Sequence, residues 1–126
     1  MTLRQQQSLF IKLLPRLIDF AYAQGYELTG RELWRTQAQA VSNAATGAGI
    51  VNSLHCLGLA IDLMLFKNGV LLLTGDATQS TENYRPLGDY WVSLDPLARW
   101  GGNFKDKTGA PKPDVDHFSL SWGGVE

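Results

Sequence analysis

Two histidines are the whole supply of imidazole in this chain, and each has carboxylates nearby in sequence. His55 lies in Ser53-Leu-His55-Cys-Leu-Gly58-Leu-Ala60-Ile-Asp62, and His117 in Pro113-Asp114-Val-Asp116-His117-Phe118. A continuous helix would hold His55 and Asp62 about 10.5 Å apart along its axis. An extended strand would separate them by roughly 23 Å, so neither lets them share an ion bound at ~2 Å. They converge only if the chain turns between them, and Gly58 is the residue that permits a turn. A third ligand must come from elsewhere, and His117 is the only other histidine. Two His and one carboxylate leave a tetrahedral zinc one open position, the mark of a catalytic site. Such a site also needs an unligated base close by. Asp114 and Asp116 are the candidates, and spacing alone leaves both open. One turn over residues 114–117 would face Asp114 and His117 the same way, whereas in a straight strand neither aspartate shares a face with His117.

These side chains need elements to hold them. Phe10, Leu13, Leu14, Leu17 and Ala21 recur at helical spacing, so residues 2–24 read as an amphipathic helix opened by a Thr2/Gln5 capping box. Pro15 inside it predicts a kink or break, and Gly25 ends it. Tyr26–Leu28 reads as a short strand, Thr36–Ala45 as a second helix, and residues 46–54 as loop. Leu59–Phe66 and Val70–Thr74 flank Lys67-Asn68-Gly69, a hairpin signal. Alternation places Asp62 with Ala60, Met64 and Phe66, a lone carboxylate among apolar neighbours that would be costly unless it were paired. A third helix is expected from about Pro86 to Ala98, burying Leu87, Tyr90, Trp91, Leu94 and Ala98, and a last strand over His117–Ser121. Trp91 belongs to that buried face, while Trp100, beside Gly101 and Gly102, is the tryptophan placed to shape a cleft and touch substrate. Lys105–Lys112 reads as a solvated loop that could border the groove. Helices mixed with a hairpin and a late strand make an α+β fold on an antiparallel sheet.

Composition narrows the options. At 126 residues the chain suits a single domain spanning 1–126, with no room for a separate wall-binding domain. Eleven basic against twelve acidic side chains give a net charge of −1, which supplies no footprint for nucleic acid. Cys56 stands alone, so no intrachain disulfide is possible, and beside a ligand it reads as a small buried hydrophobe. Lys12, Arg16 and Asp19 interrupt the apolar stretch near the start, which excludes both a membrane span and a signal-peptide core.

Ser-x-His-x-x-Gly-x-Ala-x-Asp, then Trp-Gly-Gly, then Asp-x-x-His-Phe resembles the zinc-dependent M15 peptidases. These include D-alanyl-D-alanine carboxypeptidases and dipeptidases, and the phage L-alanyl-D-glutamate endopeptidases used as endolysins. The likeness extends to Gly25-Tyr26, to Arg35-Thr-Gln-Ala-Gln and to Asn83-Tyr-Arg-Pro-Leu-Gly-Asp-Tyr-Trp, which look most like the small phage enzymes. It implies a hedgehog/D-Ala-D-Ala peptidase-like fold, a small antiparallel sheet flanked by helices. It implies Zn2+ on His55, Asp62 and His117, with Asp114 as general base. Arg35 would face the substrate and steady the oxyanion, and Ser53 would lie near the substrate. Arg31, in the looser segment Thr29-Gly-Arg31-Glu-Leu-Trp-Arg35, competes for the arginine's role.

The resulting expectation is a monomeric zinc peptidase cutting the peptidoglycan stem peptide, foremost between L-Ala and D-Glu, as a phage endolysin or prophage relative. It would be made in the bacterial host cytoplasm without a signal peptide and reach the wall after another protein permeabilises the membrane. One rival is a D-Ala-D-Ala carboxypeptidase or dipeptidase. Another is an inactive zinc-stabilised wall-binding module, which a retained Asp114 argues against. A metal-dependent nuclease on Asp116-His117 is weakened by the near-neutral charge.

Overall fold

The computed structural model describes residues 1–32 and 54–126. Helix α1 (Leu3–Ala23) starts where the Thr2 hydroxyl accepts from the Gln5 amide and the Gln5 side chain accepts from the Thr2 amide. It runs straight through Pro15 in sequence, so the expected break does not occur. Pro15 and Ile11, whose carbonyl loses its donor, both lie on the exposed side, where water replaces the missing bond. Gly25, at φ +86°, turns the chain into strand β1 (Glu27–Glu32), longer than the three residues expected. The expected helix Thr36–Ala45 and most of the loop after it lie outside the described residues.

Strand β2 (Ala60–Lys67) and the short β3 (Val70–Leu71) form the expected hairpin. Asn68 and Gly69 both have positive φ, 51° and 76°, the backbone that a tight two-residue hairpin turn demands. Helix α2 (Ala77–Leu94) begins nine residues ahead of Pro86, capped by the Asp76 side chain on the Gln79 amide. Its first half is too polar for the apolar period to announce it. Pro86 sits on an exposed position within it. Asp95-Pro96 ends the helix, because the residue before proline avoids the helical region. Ala98 therefore belongs to strand β4 (Ala98–Trp100) and not to the helix. Strand β5 (His117–Leu120) closes the set.

The sheet order is β1-β2-β5-β4, with every described pairing antiparallel, and β3 pairs with the end of β2. Trp91 of α2 sits at the centre of the core. Its ring meets Phe10 of α1 edge-on at 5.7 Å and Phe118 of β5 at 6.4 Å, and its indole N–H donates to the Ser119 carbonyl at 3.0 Å. Leu63 and Leu65 of β2 and Leu120 of β5 are buried with them. The fold is α+β, as expected. No helix among the described residues is long and apolar enough to cross a membrane.

Candidate metal centre

Residues Leu54–Leu57 form one 3-10 turn that carries His55. Gly58 follows at φ +66°, and the Leu59 amide donates back to the Leu54 carbonyl at 2.9 Å. This reversal folds His55 over the start of β2. On the sheet, Asp62 of β2 and His117 of β5 are direct cross-strand partners, which puts both side chains on one face. Asp62 Oδ1 lies 3.3 Å from His55 Nε2 and 3.7 Å from His117 Nδ1. One ligand atom from each residue falls within 4.8 Å of the other two. Tetrahedral ligands at 2.0–2.1 Å from zinc would stand about 3.3–3.4 Å apart, so the cage is of metal size. Its donors are also of the right kind, two imidazoles and a carboxylate. Among the described residues no group donates a hydrogen bond to the enclosed Asp62 Oδ1, an oxygen placed to accept a cation.

Burial raises the Asp62 carboxyl's pKa, but His117 and His55 facing it outweigh that and hold it well below the usual carboxylate range. The carboxylate is thus ionised and available as a ligand across the neutral range.

Residues 114–117 make one turn, with the His117 amide donating to the Asp114 carbonyl at 3.1 Å. Asp114 consequently faces the cage, its Oδ2 3.9 Å from His117 Nδ1, while its side chain stays 58% exposed. A carboxylate this close yet open to water can take a proton from a water at the cage. Asp116 is different. It is 7% exposed, enclosed where Asp114 is open to water. Burial first, then its hydrogen bond with Asp114 and the charges of Asp62 and Asp114, push its carboxyl up to about 7.

Trp100 does not line a cleft over the cage. It pairs with Phe118, one residue on from His117, so strand alternation sends its ring to the opposite, helix-facing side, where it is 1% exposed. Among the described residues Phe104 is the aromatic residue against the site, its ring centroid 5.4 Å from that of His117. No spacing rule singles it out, because it sits in irregular chain beyond β4. Arg31 is exposed near the end of β1, where the register shifts between Gly30 and Glu32. Arg35 and Ser53 lie outside the described residues, and Cys56 is half-buried.

A family model described as D-alanyl-D-alanine carboxypeptidase, of the M15 peptidases, matches residues 46–120, a span that includes His55, Asp62, Asp114 and His117. No curated protein matches the chain. Among solved structures, the L-Ala D-Glu endopeptidase ChiX of Serratia marcescens is similar in fold. It is 23% identical, covers 86% of this chain and 77% of its own, and superposes with a TM-score of 0.55.

Proposed function

Because the chain belongs to the M15 family of D-alanyl-D-alanine carboxypeptidase-type peptidases, we propose that it is a zinc-dependent peptidoglycan peptidase that cuts the stem peptide between L-Ala and D-Glu. The observation that carries this reading is the convergence of His55, Asp62 and His117 with an exposed Asp114 beside them. His55 Nε2, Asp62 Oδ1 and His117 Nδ1 would hold the zinc. Zinc bound there would supply Lewis acidity toward the scissile carbonyl and make water a better nucleophile at neutral pH. Asp114 takes the attacking water's proton and hands it to the departing amine. The ring of Phe104 lies beside that of His117 and limits how that imidazole can swing. Asp116 stays in place behind Asp114 and is too enclosed to meet substrate. Arg35 would steady the oxyanion, worth roughly 2.7–4 kcal/mol if it acts as oxyanion-hole donors do, and Ser53 would contact the peptide.

The choice of L-Ala–D-Glu is supported by the motif likeness to small phage endopeptidases and by the shared fold of the Serratia enzyme. A role in host lysis follows from that same likeness. Release of terminal D-Ala is the second reading, favoured by the family's description. Digestion of purified peptidoglycan, with the products identified by mass spectrometry, separates the two. New D-Glu amino termini are expected; free D-Ala would move the assignment to the carboxypeptidase, and intact muropeptides would refute both.

A further inference from the structure

We infer that Trp100 is a positioning residue, one that fixes the turn from which Asp114 acts. The inference rests on the proposed role of Asp114 as proton acceptor. Its side chain is 58% exposed, so apart from its hydrogen bond with Asp116 its placement is inherited from the backbone beneath. Four hydrogen bonds fix that backbone. The Asp114 amide donates to the Gly101 carbonyl at 2.8 Å, and the His117 amide to the Asp114 carbonyl at 3.1 Å. The Leu63 amide donates to the Asp116 carbonyl at 2.9 Å. Trp100 Nε1 donates to the Val115 carbonyl at 2.7 Å. The first three run from backbone to backbone. The fourth comes from a side chain, and it is the shortest of the four.

The indole has little freedom to aim elsewhere. Gly88 of α2 and Gly102 both approach it so closely that a Cβ on either would run into the ring. The Arg85 guanidinium lies over it, 5.5 Å from the ring centroid. Gly101 completes the clamp, because a Cβ there would collide with the Asp114 carbonyl oxygen. The Trp-Gly-Gly segment thus reaches the catalytic face from behind: the ring lies on the helix side of the sheet, and its N–H holds the residue next to Asp114. Val115 is 6% exposed, so water is poorly placed to replace the lost donor.

Trp100→Phe keeps an aromatic ring and deletes the donor. With a soluble muropeptide, kcat should fall about 100-fold, the scale of an ångström's misplacement of a reacting group. KM, zinc content and a single cooperative melt should stay as in the wild type. Wild-type kcat in the folded, zinc-loaded variant would overturn the inference. So would parallel loss of kcat and zinc, which would mean that the clamp serves His117 instead. If the Phe variant does not fold, benzothienylalanine at position 100, which exchanges the N–H for sulfur, is measured by the same criteria. Asp114→Ala separates the two levels. Full activity there sinks the proton-acceptor reading itself, whereas an inactive Asp114→Ala beside a fully active Trp100→Phe sinks the positioning role alone.

Discussion

Asp62 and Asp116 are two carboxyls on one small site, and their surroundings push them in opposite directions. Asp62 faces two imidazoles that favour its ionised form, so it contributes stability above the ordinary carboxyl value, lost as the pH falls through the acid range. Asp116 holds its proton more tightly folded than unfolded. Its contribution is therefore full below 3.8 and is lost as the pH rises to about 7. In chelator-treated protein, the stability advantage of the wild type over Asp116→Asn should shrink between about pH 4 and about pH 8 in thermal melts. A pH-independent difference would contradict this origin. Asp62→Asn should weaken zinc binding by more than about 100-fold, the upper end of what losing even an outer partner costs, as read by competition with a chromogenic chelator. Asp114→Ala should keep the metal while turnover falls by roughly 10²–10⁴-fold. The convergence of His55, Asp62 and His117 was legible in the sequence because so few residues of the right chemistry exist and Gly58 marks the turn between the first two. The burial of Asp116 and the facing of Trp100 were not. Both depend on which strands become neighbours, and local spacing carries no such information.

At the scale of elements, the hairpin and α1 follow from local signals: Asn68-Gly69 for the turn, Thr2 and Gln5 for the cap. Local rules failed at the prolines. Pro15 and Pro86 both lie within helices, where the loss of one hydrogen bond is offset by burial of Leu14, Leu17, Leu87 and Trp91 on the other side. Pro15→Ala should accordingly stabilise the protein, by up to about 3 kcal/mol, seen as a higher denaturant midpoint with an unchanged slope. A lower midpoint would show that the proline is needed for the path of α1. Trp91 ties α1, α2 and β5 together through two ring contacts and its bond to Ser119. Trp91→Ala should cost about 3–5 kcal/mol, enough to consume much of a small domain's stability.

Across the whole molecule, the cage joins the 3-10 turn, the middle of the sheet and its late strand, so binding of the proposed zinc would be linked to folding. Zinc at 100 times its dissociation constant should add about 2.7 kcal/mol, raising the melting temperature of the chelator-treated protein in one cooperative transition. The charge balance of −1 and the family membership agree that a peptide, not nucleic acid, is the substrate to test. The most direct measurement is hydrolysis of purified peptidoglycan by the chelator-treated protein before and after one equivalent of Zn2+. Hydrolysis that is absent before and restored after is the result expected of a zinc peptidase built on His55, Asp62 and His117. Hydrolysis undiminished by the chelator would contradict it.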